Sequence, residues 1–124
     1  MPAIQVRIYR EDEGTIPLME WLDEIKPKKA RAKCLAAMDL LEALGFELRR
    51  PHADLLRDEI YELRIHWGSV QYRILYFYHG QAAVLSHGFI KRKAKVPDDE
   101  IDLAVERKMK HRANPEKHSV EEEP

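Results

Sequence analysis

The chain reads as an α+β domain in the order strand, helix, helix, three meandering strands, helix, or β-α-α-β-β-β-(α). The sheet is expected to be small and mainly antiparallel, with the two N-terminal helices packed on one face. Three observations carry this reading. Tyr61, Leu63, Ile65 and Trp67 alternate with Glu62, Arg64 and His66, the period-2 mark of a strand with one buried face. Gly68-Ser69 then offers a two-residue hairpin turn ahead of the aromatic and branched run Val70 to Tyr78. Upstream, two segments carry apolar residues at helical spacing instead.

Taken in order, Ala3 to Arg10 alternates Ile4, Val6 and Ile8 with polar neighbours and predicts the first strand. Thr15 is placed to cap a helix that tolerates Pro17 in its first turn and runs to Ile25, with Leu18, Trp21, Leu22 and Ile25 on one stripe. Pro27 separates it from a longer helix to Leu44, striped by Cys34, Ala37, Met38, Leu41 and Leu44, with Gly45 as its C-terminal cap. Phe46 to Arg57 reads as irregular. After the hairpin, a third strand covers Gln81 to Phe89 following a turn near His79-Gly80. Pro97-Asp98-Asp99-Glu100 starts a last helix, its acidic residues meeting the positive end of the helix dipole, and Ile101, Ala104, Val105 and Met109 form its stripe. Residues 1–111 make one domain, and 112–124 a polar, frayed tail whose Glu121-Glu122-Glu123 end aids solubility or shields a basic face.

Composition narrows the class. The 124 residues suffice for one modest core. No apolar run reaches the roughly 20 residues that span a bilayer, and the N-terminus lacks a signal-peptide apolar region, so a cytoplasmic location is expected. Cys34, the single cysteine, excludes an internal disulfide and reads as a small core residue. The six histidines show no metal-ligand spacing, so neither a metal nor another cofactor is expected. Formal net charge is −1, but it averages unlike parts: residues 49–96 hold 9 basic to 4 acidic side chains, and residues 97–124 hold 5 to 9. Positive charge is concentrated in the sheet, which fits an anionic partner such as nucleic acid.

A two-residue turn fixes register. With Trp67 facing Val70, Ile65 faces Tyr72, Leu63 faces Ile74 and Tyr61 faces Tyr76, so Tyr72 and Tyr76 belong to the core. On the other face Arg64 meets Arg73, a like-charge pair that disfavours the sheet. A bound phosphate bridging the two guanidinium groups would compensate. So would Glu62, neutralising one arginine while water solvates the other. The third strand leads into Lys91-Arg92-Lys93-Ala94-Lys95 near the same end of the sheet. Arg73 is expected to face Ser86 or His87 there. His66 and His87 are the histidines expected near the arginines.

These motifs resemble, in their order and spacing, the phage-derived, HigB-like branch of the RelE/ParE toxin superfamily of type II toxin–antitoxin systems. The resemblance rests on Leu56-x-x-x-Ile60-Tyr61-Glu62-Leu63-Arg64, on Tyr72-Arg73-Ile74-Leu75-Tyr76, and on His87-Gly88-Phe89-Ile90-Lys91-Arg92-Lys93-Ala94-Lys95-Val96-Pro97. Glu20-Trp21-Leu22-Asp23 and the Leu41-x-x-Leu44-Gly45 break also fit. It spans residues 4 to 111, with Arg92 standing where lysine is common. It implies a RelE-like fold and a metal-independent endoribonuclease that cleaves mRNA on the ribosome and is silenced by a helix-turn-helix antitoxin of the HigA kind. Under it Arg64, Arg73, Lys91, His87 and Glu62 would be catalytic, and Lys93, Arg92, Lys95, His66 and Arg57 would bind RNA. Two other functions stand beside it: a ParE-like inhibitor of DNA gyrase without nuclease activity, and a nucleic-acid-binding domain without chemistry.

Overall fold

A computed structural model of the chain describes residues 4–121. Among these, six strands form one open sheet: β1 (Gln5–Tyr9), β2 (Ala53–Leu55), β3 (Tyr61–Trp67), β4 (Val70–His79), β5 (Ala82–Lys91) and β6 (Ser119–Glu121). Their spatial order is β2-β3-β4-β5-β1-β6, with β1 parallel to β5 and the other neighbours antiparallel. Three α-helices complete this α+β fold: α1 (Pro17–Glu24), α2 (Lys28–Leu44) and α3 (Asp98–Ala113).

The sheet separates two apolar clusters. On one face Leu18 and Leu22 of α1 and Cys34, Met38 and Leu41 of α2 pack on Val6, Ile8, Leu63, Ile74, Tyr76 and Leu85. On the other, Ile101 and Ala104 of α3 cover Tyr9, Leu75, Phe77 and Val84. Coverage on both faces explains why β4 is buried without interruption from Tyr72 to Phe77. Gly88 is imposed by this packing. The Trp21 ring lies on it so closely that a methyl group there would sit 2.3 Å from the ring carbons.

The hairpin register is the one read from the sequence, from Trp67↔Val70 through Arg64↔Arg73 to Tyr61↔Tyr76. Gly68 turns the chain at φ +58, a conformation that glycine adopts without steric cost. The β4–β5 register differs from expectation: Arg73 faces Phe89, not Ser86 or His87. The turn falls later, between His79 and Ala82, and a bulge leaves Ser86 as an extra residue between the His87↔Leu75 and Leu85↔Tyr76 pairs.

Other differences are local. Thr15 does not cap α1: Ile16 holds that position, and the threonine hydroxyl donates to Glu13 at 2.8 Å. Leu44 and Met109 are exposed, while Arg107 and His111 take the buried positions of α3. The stretch read as irregular contains β2, which pairs with β3. The tail expected to fray past 111 instead continues α3 to Ala113 and returns as β6 along β1. Residues 122–124 lie outside those described.

β6 packs Val120 on the core, and it and the turn leading into it are fastened by polar bonds. Arg10 donates from Nε and Nη2 to the carbonyls of Lys117 and Glu116, both at 2.9 Å. Ser119 Oγ donates to the Pro115 carbonyl at 2.8 Å and accepts from Arg7 Nε at 2.8 Å. Its single proton is therefore used, so it can only accept from His111 Nε2, 3.3 Å away. His111 thus carries its proton on Nε2 and keeps a buried, unpartnered lone pair on Nδ1.

Burial, with His79, Arg7 and His118 nearby, pushes the His111 pKa from 6.5 down to about 4. The unfolded chain therefore binds the proton more readily, and stability present above pH 6.5 is lost as pH falls from there to about 4. The loss should reach about 3 kcal/mol, and urea unfolding at pH 7 and pH 4.5 should show a shallower pH dependence in His111→Phe than in wild type. A parallel pair of profiles would refute this. Gly88→Ala should cost about 1–3 kcal/mol by overpacking against Trp21, read as a lowered urea midpoint; an unmoved midpoint would show that the ring yields freely.

Candidate phosphate-binding face

Because side chains alternate along each strand, three rungs across β3, β4 and β5 share the face opposite α1 and α2. They are Glu62/Leu75/His87, Arg64/Arg73/Phe89 and His66/Gln71/Lys91. The five residues expected to be catalytic, Glu62, Arg64, Arg73, His87 and Lys91, therefore stand together with His66. Helix α3 covers the Leu75 side of this array.

The centre of the array is an internal ion pair. Arg73 is only 2% exposed and Glu62 6%. Arg73 Nε lies 3.0 Å from Glu62 Oε1, yet the N–H is not aimed at that oxygen, and neither atom makes an aligned hydrogen bond. Arg73 Nη1 donates to the Tyr72 carbonyl at 3.0 Å and reaches Gln71 Oε1 at 3.5 Å. Burial lowers the Arg73 pKa, Glu62 opposes that shift, and Arg64 reinforces it. Glu62 Oε2 also sits 3.9 Å from Arg64 Nε. The anion between the two arginines is thus the chain's own carboxylate. Arg73 is occupied by it, while the Arg64 side chain, 34% exposed, keeps a face open to solvent.

The other residues separate by the partners they hold. His87 is buried, with Nδ1 2.8 Å from Ser86 Oγ and Nε2 2.9 Å from Glu100 Oε1, so both ring nitrogens are engaged and the second joins β5 to α3. Arg57 is paired with Asp58 at 2.7 Å, Asp102 at 2.8 Å and Asp98 at 3.4 Å, contacts that raise its pKa and tie it to the first turns of α3. Lys91 Nζ donates to the Ala94 carbonyl at 3.0 Å. Arg92, Lys93 and Lys95 are exposed beyond β5, and His66 is exposed at the far end of β3.

Sequence reasoning missed a cavity of about 330 Å³ between α2 and β3, lined by Lys33, Leu40, Pro51, His52, Arg64 and His66 among others. No local pattern links Lys33 to Arg64; only tertiary packing brings them to one rim. Among the described residues, no three His, Cys, Asp or Glu side chains gather as a metal-ligand set, and no helix is long and apolar enough to cross a membrane.

Removing Arg73 would leave the Glu62 charge buried without its main partner. Arg73→Met should therefore destabilise the fold by about 3–5 kcal/mol, whereas Glu62→Leu/Arg73→Met, which removes both charges, should recover most of that loss. Equal loss in the single and double variants, measured by chemical unfolding, would show that the pair is not coupled.

A search of curated proteins finds no match to the chain. The family model described as Phage derived protein Gp49-like (DUF891) matches residues 20–109, which include the β3–β5 array and most of α3. That family is associated with RelE- and HigB-like toxins and is compatible with a toxin of a toxin–antitoxin system. The match covers well over half of the chain, which belongs to the Gp49-like phage-derived protein family.

Proposed function

We propose that this chain is the toxin of a type II toxin–antitoxin system, of the HigB-like kind, and that it is a metal-independent endoribonuclease. It would act on mRNA at the ribosome in the cytoplasm, and a HigA-like helix-turn-helix antitoxin would silence it. The observation that supports the reading is that Arg64 and Lys91 share one sheet face and that the exposed Arg92, Lys93 and Lys95 follow directly where β5 ends. Such a cluster suits an RNA backbone.

In the proposed reaction the ribose 2′-oxygen attacks the adjacent phosphorus. The 2′-O–P bond forms and the P–O5′ bond breaks, leaving a 2′,3′-cyclic phosphate and a 5′-hydroxyl. The 2′-OH proton must leave, and the 5′-oxygen must gain one. Arg64 is the guanidinium with a free face and is assigned to the phosphate, where it stabilises charge developing in the pentacoordinate state. Glu62, fixed by buried Arg73, sets the position of Arg64. Arg73 therefore acts as a positioning residue. His66, exposed on the rung next to Arg64, is assigned to proton transfer in preference to His87, whose ring is already bonded at both nitrogens. Lys91, Lys93, Arg92 and Lys95 would hold flanking phosphates.

Induced expression in a bacterial host should arrest growth and generate new mRNA ends. Arg64→Ala should reduce cleavage about 100-fold or more while leaving the thermal midpoint near that of wild type, because the side chain is partly solvated. Arrest with intact mRNA would instead favour a ParE-like gyrase inhibitor, and absence of arrest would leave a binding domain without chemistry.

A further inference from the structure

We infer that the cavity between α2 and β3 is a ribonucleotide subsite, holding the base attached to the phosphate that Arg64 contacts. The inference deepens the proposed RNA reading and rests on it. Strand β2 pairs with β3 only as far as Leu63, and the last backbone bond on that side runs from Arg64 N–H to the His52 carbonyl at 2.8 Å. Beyond it the edge of β3 is uncovered and α2 stands back from it, which opens the cavity of about 330 Å³.

Three features of the lining match a nucleotide. Ala36, Leu40 and Ile65 give apolar surface for the faces of a planar base. Lys33, His52 and Arg64 stand around that surface, and no lining residue is acidic, so the charge fits a phosphodiester. The backbone of His66, two residues beyond Arg64, points to the same open side and offers an N–H and a carbonyl to the polar edge of a base. A peptide strand would use the same groups, but the free edge is only Ile65 to Trp67 before the Gly68-Ser69 turn, too short a template for stable strand addition. The dimensions favour one planar, hydrogen-bonding group joined to a phosphate. Arg64 stands beside Glu62 on the opposite face of the sheet, yet at the uncovered edge of β3 it also lines this cavity. A nucleotide seated here therefore reaches its phosphate around that edge to the candidate reaction centre.

The probe is a set of four 2′-O-methyl homo-hexanucleotides, which cannot be cleaved through the 2′-oxygen, with a fully abasic backbone of the same length as control. Binding is read by fluorescence anisotropy at one fixed salt concentration. Ala36 is an exposed α2 residue on the cavity wall, so Ala36→Trp fills the space without disturbing the core, and Ala36→Met is the milder substitute if the tryptophan variant does not fold. Filling the cavity should weaken binding of at least one base-bearing oligonucleotide about tenfold or more, as loss of one stacked base would. Affinity for the abasic backbone should stay unchanged, while Arg64→Ala should weaken both. If wild type and Arg64→Ala behave as stated but the filled variant binds every oligonucleotide like wild type, the base subsite is overturned alone, and the cavity becomes a protein-contact groove. Equal weakening on base-bearing and abasic probes also overturns it. If wild type binds none of the probes, the RNA reading and the subsite fall together.

Discussion

A carboxylate buried between two arginines is the constraint on which this face of the molecule depends. Taking Glu62 and Arg73 out of water is costly, and their attraction compensates only while both are present. Their imperfect alignment, 3.0 Å apart without an aimed hydrogen bond, means that the pair relies on neighbours to stay satisfied. Those neighbours are the Tyr72 carbonyl and the Gln71 side-chain oxygen, both on the Arg73 guanidinium. Burial restricts Arg73, whereas Arg64, one strand away, retains solvent contact. Two identical residues in one rung thereby acquire different duties, one internal and one facing outward.

Helix α3 completes the arrangement through charge as much as through apolar contact. Arg57 joins its start to the loop before β3, Glu100 takes the His87 ring, and Arg107 reaches both the Ser86 carbonyl at 3.2 Å and Glu11 at 3.0 Å. Several titratable side chains that look functional in the sequence are therefore engaged in fastening this helix across the sheet. On this face the positive charge left towards solvent lies on Arg64, with more along the segment after β5. This division explains how a chain with nearly balanced formal charge presents a basic strip.

What could be read from the sequence follows what has a local signature. The β3–β4 register was legible because a two-residue turn and strict alternation leave one solution, and Arg64 opposite Arg73 followed from it. The β4–β5 register was not, because the Ser86 bulge has no mark of its own and the turn could shift along the chain. Strands β2 and β6 have three residues each, too few to show a period. On α3, hydropathy ranks Met109 above Arg107 and His111, yet the latter two are buried because Glu11, Ser86 and Ser119 supply partners that lie far away in the chain. The rungs of the candidate site were thus largely predictable. The partners that occupy Arg73, Arg57 and His87, and the cavity beside Arg64, depend on tertiary packing.

The two shortest strands have a consequence for the molecule among its neighbours. An open sheet has two lateral borders, and each exposes backbone groups that could recruit a strand from another chain. Here those borders are β2 and β6, each three residues long, one paired along part of β3 and the other bonded through Arg7 and Arg10. The long, apolar strands β4 and β5 are enclosed between neighbours on both sides. Brevity at the rim therefore limits uncontrolled self-association of a fold whose central strands, if uncovered, would be strongly prone to it.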